Sequence, residues 1–318
     1  MVLEKKLVAV TGANGFIGSA YCRRIEERGG DVRRLVRDRP SQRGDVVALD
    51  LARAPSGELE RALEGVHALV HLAGRAHAMS GTERDADATY RAANVDITER
   101  IALAAIASGV RRFVLASTIK VNGEATLRGK PFKCGDEPAP QDAYARSKLA
   151  AERTLAQVAG GTSMIATSLR LPLVYGPNAR GNFRRLVDAV AAQRPLPLGA
   201  IENRRSLLSL DNLMDAFDAA IDAPHAPIGT YLVADADSVS TPTLVRAIAS
   251  ALGVAPRLLA VPVPLLRMAG ALCRKGDAIA RLTRSLEVDT SSFSRATGWR
   301  PRPFAIDPAY VAGAARDL

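Results

Sequence analysis

The segment at 142–152 reads DAYARSKLAAE and sets Tyr144 four residues before Lys148. On a helix, residues i and i+4 lie one above the other, so a phenol and an ammonium would face the same neighbour about one turn apart. Such a pair can move a proton. A free phenol titrates near about pH 10, and a nearby cation favours its ionised form. Taken alone, the spacing equally describes a helix with one Tyr on the core and one Lys in water. Two further hydroxyls, Ser117 and Thr118, are neighbours at the end of an apolar run. Adjacent residues of a strand point to opposite faces, so only one of these two can meet a substrate.

The elements that must position these groups follow from the first half of the chain. An apolar run at 7–10 leads into Gly12, Gly15 and Gly18 and then into a helical pattern that ends near Gly29. The first glycine suits a tight turn, the second a backbone close to a pyrophosphate, and the third a helix packed hard on its strand. The helix N-terminus would receive the anion through its free N–H groups and its dipole. Strand-like runs recur at 31–37, 45–51, 67–74, 110–118 and 164–171, between helical stretches. That alternation predicts an α/β fold, a doubly wound parallel sheet whose ligands lie beyond the strands' carboxyl ends. Arg37, Asp50, Ala73, Gly74, Ser117 and Thr118 stand at those ends.

Composition narrows the class. At 318 residues the chain can hold a large core and a second lobe. Three cysteines, Cys22, Cys134 and Cys273, show neither C-x-x-C spacing nor an even count, which fits a reducing cytoplasm and gives no metal site. No stretch reaches the roughly 18 apolar residues of a membrane span, and no signal-peptide pattern opens the chain. The net charge of +10 fits an anionic partner; with aromatics at only 4% and arginines scattered, it does not suggest nucleic acid. His71 and His77 lack metal-ligand spacing, and His71 is expected to be a packed strand residue.

Read together, TGANGFIG (11–18), DL (50–51), HLAG (71–74), NV (94–95), STIKVNGE (117–124), YARSK (144–148), LVYGP (173–177) and TGWRP (297–301) resemble the extended short-chain dehydrogenase/reductases. The branch is the NAD-dependent epimerase/dehydratase family, and STIKVNGE with PLPLG and NRRS resembles its UDP-glucose 4-epimerase-like subgroup of polysaccharide biosynthesis. The resemblance implies an NAD(P)-binding Rossmann domain at 1–172. It also implies a smaller, mainly substrate-binding lobe at 173–318, with segments returning to the core. It assigns Tyr144 as general acid/base, Lys148 as its cationic partner and ribose holder, and Thr118 as hydrogen-bond partner of the reacting oxygen. Dinucleotide contacts fall to Gly12, Asn14, Gly15, Phe16, Ile17, Gly18, Arg37, Asp50, Leu51, Ala73, Gly74 and Asn94. A UDP-sugar would meet Lys120, Asn122, Asn182 and Arg205, with Arg204 an alternative to Arg205. A homodimer through helices near 82–107 and 142–159 is implied as well. The tract at 281–293 departs from the Arg-Pro-Gly-Asp pattern of the epimerases.

Four activities compete. Dehydratases carry Asp-Glu after the catalytic Thr, whereas this chain has Ile119 and Lys120. An inactive nucleotide sensor would have lost part of the Thr118, Tyr144, Lys148 set, which is complete. Between 4-keto reductase and 4-epimerase, the cofactor end decides. Val36 stands where an NAD enzyme usually has an acid, and Arg37 follows, with Arg33, Arg34, Arg39 and Arg43 nearby. An arginine there suits the 2′-phosphate of NADP(H) over NAD(H), and the expectation is a reductase of a UDP-N-acetylamino sugar. Arg37 as a plain surface residue is the alternative.

Overall fold

The computed structural model describes residues 6–38, 45–76, 83–224, 227–273 and 276–312. The six expected runs form the strands β1 (Val8–Thr11), β2 (Val32–Val36), β3 (Val46–Ala48), β4 (Ala68–His71), β5 (Arg112–Thr118) and β6 (Ile165–Leu171). The second half adds β7 (Leu173–Tyr175), β8 (Arg205–Ser209), β9 (Gly229–Leu232) and β10 (Ser238–Val239). One seven-stranded sheet runs in the order β3-β2-β1-β4-β5-β6-β9, and every pairing within it is parallel. The strand order reverses between β1 and β4, which opens a crevice at their carboxyl ends. A three-stranded sheet, β10-β8-β7, carries the smaller lobe. The architecture is the α/β, doubly wound Rossmann type.

Alternation along the central strands builds two cores. Val8 and Val10 pack with Leu213 and Phe217 on one face, while Ala9 packs with Leu69, Ile101 and Phe113 on the other. A parallel sheet covered on both faces has to be apolar throughout, and β1 and β4 are buried at every position. A third cluster, around Tyr175, Phe183 and Ile248, belongs to the smaller lobe. The seventh strand was not foreseen: β9 comes from the second half and pairs with β6. Its residues, GTYL, are too short and too little alternating to announce a strand. Among the described residues no helix is long and apolar enough to cross a membrane.

The first turn of the helix Phe16–Glu27 sits unusually close to the strand it follows. Gly12 has φ +64°, and a Cβ there would stand 3.0 Å from the Ala73 amide nitrogen. A Cβ on Gly18 would overlap the Gly12 carbonyl oxygen and lie 2.9 Å from the Ala13 Cα. All of these neighbours are backbone, so relief requires the helix to move. Gly18→Ala is therefore expected to destabilise the fold by about 1–3 kcal/mol, the usual cost of overpacking. Urea denaturation measures it, and an unchanged midpoint would show that the helix is not pinned at this contact.

Candidate active site

The helix Ala143–Ala159 begins where the sequence suggested, and Asp142 starts it. Its Oδ1 accepts the Ala145 N–H at 2.7 Å, satisfying a first-turn donor. The same carboxylate bonds the Lys120 ammonium, which also bonds Glu124 at 2.9 Å. The start of the helix is thereby tied to the turn that follows β5. Tyr144 and Lys148 then share a face, as their spacing demands. Thr118, the last residue of β5, brings its hydroxyl to the Tyr144 phenol and favours the ionised form. Tyr90 lies against that phenol ring with centroids 5.8 Å apart.

Burial sets the resting charges. It pushes the Tyr144 phenol up to about 12, although the neighbouring Thr118 hydroxyl acts the other way. Lys148 is pulled down to about 8 by burial, against the attraction of Glu152. Among the described residues nothing hydrogen-bonds the Lys148 ammonium, and it lines a cleft of about 240 Å³ with Tyr144. Gly12, Gly15 and Gly18 form one wall, with Phe16 and Ile17. Gly74 and Asn94 stand on another. Gly15, the N-cap of helix Phe16–Glu27, has no side chain to cap the first-turn N–H groups, so these donors are left for a ligand. Glycines that admit no Cβ, donors without partners and a free ammonium together fit a pyrophosphate-linked dinucleotide.

Asn94 lies in a wide helical turn at Arg91–Asp96 and works as a clamp. Its Oδ1 accepts the Arg75 N–H at 2.8 Å, and its Nδ2 donates to the Arg75 carbonyl at 3.1 Å and to the Ser147 Oγ at 2.9 Å. A Cβ on Gly74 would come within 2.7 Å of the Asn94 Oδ1, so the glycine is needed for this approach. Ser117 turns its hydroxyl to buried Glu152, leaving Thr118 to the phenol. His71 is buried, with Nδ1 2.8 Å from the Thr11 hydroxyl and a ring kept neutral by burial and by the Lys148 charge. His77, Arg39 and Arg43 lie outside the described residues. Among the described residues no three His, Cys, Asp or Glu side chains gather as a metal site.

Other expected contacts are placed differently. Asn122 is the clearest correction. It is 3% exposed and its Oδ1 accepts from Arg170 at 2.9 Å, because the short 3₁₀ turn Ile119–Val121 carries it beneath the strand ends. Among the described residues its Nδ2 has no partner. Lys120 stands nearby with its charge met by two carboxylates. Arg33 donates to the Ala62 and Glu64 carbonyls and Arg34 pairs with Glu26 and Asp45, so neither serves a cofactor phosphate. The Arg37 side chain is 76% exposed, 3.7 Å from Asp38. Asp50 accepts the Ala52 N–H at 3.0 Å, Leu51 enters the core, and Asn14 is exposed. Ala73 lies against Gly12.

The smaller lobe holds Asn182 exposed at the start of helix Asn182–Ala191. Arg205 opens β8 and donates to the Arg281 and Arg284 carbonyls at 2.7 and 3.2 Å. Burial and the neighbouring Arg281 charge lower its pKa, and no carboxylate pairs with it among the described residues. An anion is what such a guanidinium lacks. Arg204 instead meets Glu287 at 3.0 Å. Arg75 and Ser117 line the cleft, and Tyr90, Asp142 and Ser147 brace it; of these, only Ser117 had been singled out by sequence. Asp142 carried a readable signal, a capping residue just before a helical pattern.

Similarity to known proteins agrees with this geometry. The model of the NAD dependent epimerase/dehydratase family matches residues 8–234. The chain belongs to that family. A UDP-glucose 4-epimerase from Vibrio cholerae is 37% identical over 298 residues, covering 93% of this chain and 91% of that one. Among solved structures, UDP-glucose 4-epimerase from Thermus thermophilus in complex with NAD superposes with a TM-score of 0.73. It is 23% identical, over 98% of this chain and 99% of that one. UDP-glucuronic acid 4-epimerase from Bacillus cereus with NAD gives 0.75 at 17% identity, over 98% and 100%. These two likenesses show the fold; the family match makes the chain an enzyme of the NAD-dependent epimerase/dehydratase type.

Tyr144→Phe removes the phenol oxygen while leaving the ring on Tyr90. Turnover is expected to fall by roughly 10²–10⁴-fold, the range for a lost general acid/base, with dinucleotide affinity retained. A steady-state and binding comparison checks both, and near-normal turnover would remove Tyr144 from this role.

Proposed function

We propose that this protein interconverts the epimers at carbon 4 of a UDP-linked sugar, within surface polysaccharide biosynthesis. The observation that carries the reading is the Tyr144 phenol between the Thr118 hydroxyl and a Lys148 ammonium that nothing hydrogen-bonds among the described residues, in a cleft walled by Gly12, Gly15 and Gly18. Similarity to the Vibrio cholerae relative supports carbon 4 and the UDP group. When bound, the dinucleotide takes up and returns the hydride. Tyr144 accepts the proton of the sugar hydroxyl and later restores it. Its burial keeps it protonated until positive charge arrives, so the base forms where it is used. Thr118 hydrogen-bonds the reacting oxygen, and Lys148 meets the ribose and favours the phenolate. Arg205 and Asn182 receive the diphosphate. Lys120, held by Asp142 and Glu124, borders the sugar side. Ile119 is 3% exposed and Lys120 is cationic, so nothing after Thr118 supplies the acid and base of an elimination.

A second reading is favoured by one feature. No carboxylate ends β2: Val36 is buried there, and exposed Arg37, paired with exposed Asp38 at 3.7 Å, could turn to a 2′-phosphate. On that reading NADPH reduces a UDP-4-keto N-acetylamino sugar. The free thiols fit a cytoplasmic place. Helix Ala143–Ala159 with the segment 83–107, where Leu103 is 54% exposed, is our candidate for a homodimer contact.

The two chemistries separate in one comparison. Incubated with UDP-glucose or UDP-N-acetylglucosamine and no added reductant, the purified enzyme should form the 4-epimer. Oxidation of NADPH or NADH by a UDP-4-keto-6-deoxy sugar, without any epimer in the first mixture, would replace the epimerase with the reductase. Arg205→Ala should weaken UDP-sugar binding and leave dinucleotide binding unchanged. Isothermal titration of both ligands tests this, and equal loss of the two would remove the diphosphate role.

A further inference from the structure

Beneath the cleft lies a charged cluster that the chemistry above does not use. The Arg170 guanidinium, from β6, donates through Nε to both Glu152 carboxylate oxygens, at 3.0 and 3.2 Å, and through Nη2 to Oε2 at 2.7 Å. Ser117, from β5, donates to the Glu152 Oε1, and Arg170 also donates to the Asn122 Oδ1. Ser117, Glu152, Arg170 and Asn122 are 4%, 5%, 4% and 3% exposed. A buried ion pair is weak evidence for stability, because well-packed apolar residues of similar volume serve as well or better. Its place therefore asks for another use.

Glu152 stands four residues after Lys148, so the carboxylate and the free ammonium share one buried face of the helix. Ser117 is the peptide neighbour of Thr118, and Asn122 follows the 3₁₀ turn that Thr118 begins. The cluster thus grips both ends of the turn that aims the Thr118 hydroxyl. We propose that Glu152 is a positioning residue, which sets its carboxylate on the helix face that carries the Lys148 ammonium and fixes Thr118 through Ser117, with Arg170 holding Glu152 in place. The inference rests on the reading of Lys148 and Thr118 given above.

The other groups around Lys148 do not supply this charge. Tyr144, on the same helix, is protonated in the resting protein, and His71, from β4, is neutral. Arg170, from β6, is itself a cation. Glu152 is the group whose charge opposes the loss of the Lys148 proton on burial. Replacing Glu152 alone would strand the Arg170 charge, so the informative variant removes both charges together.

The chain has seven lysines, few enough for ¹³Cε-lysine NMR to follow each one, with Lys148→Arg assigning the signal. In the unaltered protein the Lys148 midpoint should lie at about 8. In Glu152→Gln/Arg170→Met it should fall by about one pH unit. The alkaline limit of dinucleotide binding should move down with it. A folded double variant with an unmoved midpoint overturns the proposal. The titration needs no sugar substrate, so it stands apart from any failure to find epimerase activity. Should the double variant not fold, Glu152→Asp decides. It keeps the charge but withdraws it from Ser117, and is expected to leave the Lys148 midpoint in place while kcat falls with KM unchanged. An unchanged kcat there overturns the positioning of Thr118.

Discussion

A phenol and an ammonium one turn apart are useful only when the helix that carries them cannot slide along the sheet. Here the Glu152–Arg170 ion pair binds that helix to β6, and Ser117 extends the hold to β5. Two further ties complete it. Asp142 joins the helix start to Lys120, just after β5, and Asn94 joins Ser147, between Tyr144 and Lys148, to the loop after β4. Together the ties reach the ends of β4, β5 and β6. The positions of Tyr144, Lys148 and Thr118 are thereby fixed relative to the crevice between β1 and β4, and none rests on a single contact.

The electrostatics follow from the same burial. Taking Tyr144 out of water favours its neutral form, and taking Lys148 out of water brings its titration down toward neutral pH. At neutral pH Tyr144 therefore rests as the neutral phenol, while Lys148 is still largely charged. The site is arranged so that cationic charge brought by a ligand completes it. That arrangement restrains idle chemistry and suits a group that must accept and return one proton within a single turnover. In the smaller lobe, Arg205 has no carboxylate partner among the described residues and lies near the Arg281 charge.

Much of this was legible in the sequence, and the unread part has common causes. The runs that became β1 to β6 were mostly apolar, as a parallel sheet covered on both faces requires, although β2 carries Arg33 and Arg34. Gly12 and Gly18 were readable because their reasons are steric and local. Tyr144 and Lys148 needed only the helix period. Asn122 went astray because spacing after Thr118 does not reveal a 3₁₀ turn, and that turn rotates the side chain into the core instead of the pocket. Arg33 and Arg34 seemed available to a cofactor, yet carbonyls and carboxylates elsewhere in the fold take them. The β9 strand was unreadable because its partner, β6, lies 62 residues earlier in register, Thr167 against Gly229. Such pairing is decided by the fold and leaves no local trace.

The central claim is that hydride passes between carbon 4 of the sugar and a dinucleotide held in the cleft, while Tyr144 handles the proton. Turnover of a UDP-sugar carrying deuterium at carbon 4, followed by NMR of the product, tests it most directly. The account predicts slowed turnover with the deuterium found again on carbon 4 of the epimer. Deuterium lost to solvent, or an epimer formed without breaking that bond, would contradict it.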